Sequence, residues 1–62
     1  MTTPPYYEVR IRTKAQLLVM KTHCLQDALD YYNEHAVGSI YARLLEHWIG
    51  YSRFIKFQSR SY

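Results

Sequence analysis

At 62 residues the chain is one domain at most, near the lower limit at which a single core holds without a disulfide or a metal. Hydrophobic residues make up 48% of it, which argues against intrinsic disorder, and a net charge of +3 excludes an acidic mimic of nucleic-acid phosphates. One cysteine, Cys24, excludes an intramolecular disulfide framework and makes a reducing compartment the simpler reading.

Met1 to Pro5 is a short polar lead with two prolines, expected to be loosely ordered. It has neither a basic n-region nor an apolar h-region, and no apolar run in the chain approaches the ~20 residues that span a bilayer, so an intracellular, cytoplasmic protein is expected. From Tyr6 to Arg12, Tyr7, Val9 and Ile11 alternate with Glu8, Arg10 and Arg12, the period of a strand with one buried face. Residues 16–22 form a second apolar run of strand length, and the short break at Thr13-Lys14 predicts a β-hairpin whose turn type stays open for want of a glycine.

Cys24 to His35 is predicted helical. Leu25, Ala28, Leu29 and Tyr32 fall on one stripe, Asp27 suits the positive end of the helix dipole and His35 the negative end. Residues 39–50 fit two periods. Ile40, Ala42 and Leu44 alternate with Tyr41, Arg43 and Leu45 as in a strand; Ile40, Tyr41, Leu44, Leu45, Trp48 and Ile49 also share half of a helical wheel. Ser39 as an N-cap and Gly50 just past a C-terminus favour a second helix, with a strand as the alternative. Tyr51 to Ser59 is β-prone and completes a third strand, leaving Arg60-Ser61-Tyr62 as a tail.

The expected fold is therefore α+β: a three-stranded antiparallel sheet with two helices on one face, in the order ββααβ, or ββαββ if 39–50 is a strand. The expected core draws on Val9, Ile11, Leu18, Met20, Leu25, Ala28, Leu29, Tyr32, Ile40, Leu44, Trp48, Ile55 and Phe57. The facing of the second and third strands stays open by one residue, and such a slip exchanges their faces.

Charge is distributed unevenly. Arg10, Arg12, Lys14 and Lys21 against Glu8 give the first 22 residues +3; Arg43 against Asp27, Asp30, Glu34 and Glu46 gives residues 23–50 −3; Arg53, Lys56 and Arg60 give the remainder +3. Unpaired charges cannot enter the core, so the strand charges are expected on an open sheet face together with aromatic rings. Solvated polar faces are the competing explanation. The candidate contact set is Tyr6, Arg10, Arg12, Tyr51, Arg53, Phe54 and Lys56. Arg with aromatic residues suits both protein hot spots and nucleic acid, and composition does not separate the two.

Other chemistries find little support. His23, Cys24, His35 and His47 lack the paired short spacings of a structural zinc site. Cys24 beside a histidine is the only nucleophile–base pairing suggested, and two glycines, Gly38 and Gly50, make no phosphate loop. No enzyme activity, metal or cofactor is expected. Asp27, Asp30 and Glu34 read as a solvated helix ridge.

The hairpin Tyr7–Thr22 followed by Cys24-Leu25-Gln26-Asp27-Ala28-Leu29-Asp30 resembles small phage-encoded inhibitors of host machinery, among them anti-CRISPR proteins and inhibitors of host RNA polymerase. The likeness covers about a third of the chain, with Cys24 where a hydroxyl cap is expected in those proteins. It implies a non-enzymatic phage or mobile-element protein that binds a host protein or ribonucleoprotein machine, such as a CRISPR effector or RNA polymerase, and blocks it sterically in the host cytoplasm. Direct nucleic-acid binding by a basic, aromatic sheet face is the alternative, and a homodimer joined at the sheet edge is a further option.

Overall fold

A computed structural model describes residues 3–59. Its elements run β1 (Tyr6–Arg12), β2 (Leu17–Thr22), α1 (Leu25–His35), β3 (Tyr41–Trp48) and β4 (Tyr51–Ser59). They form one four-stranded antiparallel sheet in the order β2-β1-β3-β4. The lead at Met1-Thr2 and the tail Arg60-Ser61-Tyr62 lie outside the described residues.

The expected three-stranded sheet with two helices is corrected: residues 41–48 are a central strand, and the element order is ββαββ. Both periods were present in this segment, and tertiary pairing chose between them. As a strand, β3 takes β1 on one side and β4 on the other, so its backbone is satisfied by two ladders. Ala42, Leu44 and Glu46 then alternate into the buried face while Tyr41, Arg43, Leu45 and His47 point the other way. Neither capping signal starts or ends a second helix. The Ser39 hydroxyl donates to the Ala36 carbonyl at 2.6 Å and helps end α1. Gly50, at φ +83, turns the two-residue link Ile49-Gly50 between β3 and β4.

The hairpin turn without glycine is built by Thr13. Its hydroxyl accepts from the backbone N–H of Ala15 at 3.2 Å and of Gln16 at 3.1 Å, and its backbone N–H donates to the Gln16 carbonyl at 2.9 Å. Register between β1 and β2 sets Val9 opposite Met20 and Ile11 opposite Leu18; between β1 and β3 it sets Val9 opposite Leu44 and Ile11 opposite Ala42. This resolves the one-residue ambiguity in β2: Leu18 and Met20 turn inward, Leu17 and Val19 outward.

Helix α1 lies over β1, β2 and β3 and presses Ala28 and Tyr32 onto the sheet. The buried core is Val9, Ile11, Ala28, Tyr32, Ala36, Ala42 and Leu44, flanked by partly buried Tyr7, Leu18, Met20, Leu29, Tyr31 and Ile55. Leu25, Trp48 and Phe57, expected in the core, are exposed. Leu25 is on the first turn of α1, Trp48 ends β3 beside the β3–β4 turn, and Phe57 stands opposite Arg43 on the face away from the helix. Strand β4 meets the core through Ile55, through Lys56 Nζ 5.3 Å from the Tyr32 ring, and through Gln58, whose side-chain amide donates to the Ala36 carbonyl at 3.1 Å. The radius of gyration, 11.6 Å, exceeds the about 10.6 Å expected of a compact chain this long, as a sheet projecting past its one helix requires.

Candidate functional site

One face of the sheet carries α1; the other carries nothing among the described residues. Antiparallel pairing decides what stands on that open face, because residues directly opposite share a side. The register places Tyr6, Glu8, Arg10 and Arg12 from β1 beside Leu17, Val19 and Lys21 from β2, and beside Tyr41, Arg43, Leu45 and His47 from β3. From β4, Phe54 opposes Leu45 and Phe57 opposes Arg43. A register irregularity between Leu44 and Leu45 makes Ile55 an extra residue in β4, which is why open-facing positions change from even to odd along this strand.

The face is basic and aromatic. Arg10, Arg12, Lys21 and Arg43 oppose one carboxylate, Glu8, for a net +3. The helix side holds Asp27, Asp30, Glu34 and Glu46 against Arg53 and Lys56, for a net −2. Rings and cations are already arranged against each other. Tyr6 stacks on His47 with centroids 4.6 Å apart, the Arg43 guanidinium lies 4.4 Å from the Tyr41 centroid, and Phe54 tilts against Phe57 at 5.8 Å. These contacts hold flat side chains in fixed positions, so less conformational entropy is lost when a partner docks.

Glu8 is the organising group. It is 5% exposed although it lies on the open face. Arg10 Nε donates to one carboxylate oxygen at 2.5 Å, and His47 Nε2 is 2.7 Å from the other. Burial by itself pushes the Glu8 pKa up, but the hydrogen bonds and charges of Arg10 and His47 outweigh it and hold the carboxyl below its ordinary value. A second cluster sits on the opposite face, where Arg53 Nε donates to Glu46 at 2.6 Å. The neighbouring Trp48 and then the Arg53 guanidinium hold the Glu46 carboxyl low as well. No buried side-chain nitrogen or oxygen among the described residues is left without a partner.

Of the candidate contact residues, Tyr6, Arg10, Arg12 and Phe54 come together on the open face. Tyr51, Arg53 and Lys56 stand on the helix side: Tyr51 stacks near Trp48 at 6.5 Å, Arg53 pairs with Glu46, and Lys56 lies over Tyr32. Tyr41, Arg43, Leu45, His47 and Phe57 were not among the expected contacts. The first four face outward only because β3 is a strand where the capping residues favour a helix; their alternation with Ala42, Leu44 and Glu46 is the signal in the sequence.

Among the described residues there is no pocket, no group of three or more metal-ligating side chains, and no helix long and apolar enough to cross a membrane. The fold and this surface define a small α+β domain, a four-stranded antiparallel sheet with one helix on one face and a basic, aromatic surface on the other. No family model, curated protein or solved structure matches the chain.

Proposed function

We propose that the protein is a non-enzymatic interaction module that docks its open sheet face on an acidic surface of a host protein or ribonucleoprotein machine and blocks it by occupying that surface. It would act in the host cytoplasm, as an inhibitor encoded by a phage or another mobile element does. The observation that carries this reading is the open face itself, where three arginines and four aromatic rings surround half-exposed aliphatic side chains.

The aliphatic component favours a protein surface over nucleic acid. Leu17 and Val19 are 42% and 46% exposed beside Arg10 and Arg12, and neither can pair a phosphate or stack a base. One of the arginines, Arg10, is also engaged already by Glu8. Affinity then rests on a few anchors such as Phe54 and Arg43, with the remaining charge steering encounter.

The test is capture from a nuclease-treated bacterial host lysate, followed by titration of the captured partner against Arg43→Glu and Phe54→Ala. Either substitution should weaken binding at least tenfold, and binding should survive moderate salt. Tight, steeply salt-dependent binding of random-sequence single-stranded DNA or RNA, with no nuclease-resistant partner, would replace this reading with the nucleic-acid one.

A further inference from the structure

We infer that β4 is a self-association edge. Two copies pair β4 against β4, antiparallel about a twofold axis, with Phe54 of each copy opposite the partner's Phe57. The two sheets then become one sheet of eight strands. This inference rests on the free edge of β4 and shares Phe54 and Phe57 with the docking face, so the oligomeric state is measured without any other partner present.

Strand β4 is the longest of the four strands, nine residues, and lies at the sheet edge. It is also the strand with the least cover from α1: Ile55 alone is partly buried, and only Lys56 and Gln58 reach back to Tyr32 and Ala36. Its outer backbone N–H and C=O groups have no strand beside them among the described residues, which is the template that pairs with another chain. Apolar exposure concentrates at the same place. Of nine large hydrophobic residues exposed on the described surface, Ile49, Tyr51, Phe54 and Phe57 are on β4 or the turn leading into it, and Trp48 ends β3 beside that turn. The other edge, β2, is six residues long and has Lys21 on its open face.

The bulge in β4 and its charges select the register. In a twofold antiparallel pair the numbers of opposed residues have a constant sum, and opposed residues must share a face. Because Ile55 is an extra residue, Phe54 and Phe57 share the open face although one number is even and the other odd. Setting Phe54 opposite the partner's Phe57 also sets Ser52 opposite the partner's Ser59 and Arg53 opposite the partner's Gln58, every pair matched in face. Sliding two residues one way places Arg53 against the partner's Lys56, like charges on one face. Sliding two residues the other way opposes Phe54 with the partner's Ser59 and breaks up the aromatic pairs. In the favoured register Arg53 faces the partner's uncharged Gln58 and Lys56 the partner's Ile55, so the like charges that remain close are the two Lys56 side chains, diagonal across the twofold axis.

The size of the contact sets its strength. Phe54 and Phe57 are 57% and 68% exposed, so each leaves roughly 100 Å² of ring surface in water. Four such rings supply about a third of the ~1,200 Å² at the lower end of stable interfaces. The paired backbones and the stems of Arg53, Lys56 and Gln58 supply more, so association in the micromolar range is expected.

Sedimentation velocity from low to high micromolar protein should show conversion from monomer to twice the monomer mass. Phe54→Arg with Phe57→Arg should stay monomeric with an unchanged far-ultraviolet spectrum, because neither ring is in the core. Leu17→Arg with Val19→Arg, at the other edge, should still dimerise. Register is read by cross-linking in a Cys24→Ser background with oxidised glutathione as the oxidant. The double variant Phe54→Cys, Phe57→Cys should give a covalent dimer. Within one chain the bulge leaves these positions at the two-residue spacing of their partners Leu45 and Arg43, ~7 Å, so the covalent dimer is scored by its mass, apart from any disulfide closed within one chain. Across the proposed pair they are ~5 Å apart and can bridge. Each single cysteine variant should remain uncross-linked. A monomer at every concentration overturns the inference, as does a dimer that survives the arginine pair at Phe54 and Phe57. Cross-linking of the single variants as readily as the double overturns the register.

Discussion

Replacing Glu8 with glutamine tests how the open face is held together. The side chain keeps its shape and loses its charge, at a position 5% exposed between Arg10 and His47. The amide nitrogen of glutamine is a donor, so it cannot accept from both neighbours as a carboxylate does. A hydrogen bond to an ionised group contributes ~1.5–3 kcal/mol when sheltered. The Arg10 side chain is 49% exposed and that of His47 22%, so solvent screening reduces both contributions, the Arg10 one more. The expected loss is about 1–2 kcal/mol out of a total near 3–9 kcal/mol for a chain of this size. That corresponds to a melting temperature lower by roughly 5–15 °C.

The same substitution has a pH signature. A carboxyl whose folded pKa lies below its unfolded value binds fewer protons in the native state, so its stabilisation is fully present above the unfolded value. That stabilisation is lost as pH falls through the folded value. Glu8 is of this kind, lowered from an ordinary 4.5. Thermal unfolding followed by circular dichroism should therefore show a gap between parent and Glu8→Gln near neutrality that closes in acid. Equal melting temperatures near neutrality would refute the reasoning, and so would a gap that persists below the folded pKa.

Three further outcomes are expected. Leu44→Ala should cost about 2–5 kcal/mol in urea unfolding, because Leu44 is fully buried between Val9 and the helix, whereas Leu45→Ala on the open face should cost much less; similar losses at both positions would contradict the assigned faces of β3. Cys24 is the N-cap of α1 and makes no side-chain cap bond, so Cys24→Ser should raise stability by roughly 0.5–1 kcal/mol in the same assay. Gly50 has φ +83 with no atom near the position of an added Cβ, so Gly50→Ala should destabilise by about 1 kcal/mol through backbone strain alone, and a neutral result would argue against the left-handed turn.

Much of the architecture was legible from local pattern. Tyr7, Val9 and Ile11 alternate with charges, and only a half-buried strand satisfies that spacing. Ala28 and Tyr32, one turn apart, mark the inner stripe of α1, and both are buried. The site was legible in part for the same reason: Tyr6, Arg10 and Arg12 follow from the alternation in β1 alone. Tyr51, Arg53 and Lys56 were harder to place, because an extra residue at Ile55 exchanges the faces of β4 midway and nothing in Tyr51–Ser59 marks a bulge.

The sequence by itself determined what each short segment is able to be, since period, turn chemistry and burial preference act over a few residues. In this way it determined β1, the β1–β2 hairpin, α1 and β4, and the gathering of positive charge on strands. The tertiary structure decided the fate of residues 41–48, whose apolar positions satisfy a helix and a strand equally well. That choice rests on partners far along the chain. Between β1 and β4 this segment completes two hydrogen-bonded ladders and buries Ala42 and Leu44 under the helix. The same pairing brings Arg43 opposite Arg10 and His47 onto Glu8. Such contacts join residues more than thirty positions apart, and local periodicity has no access to them.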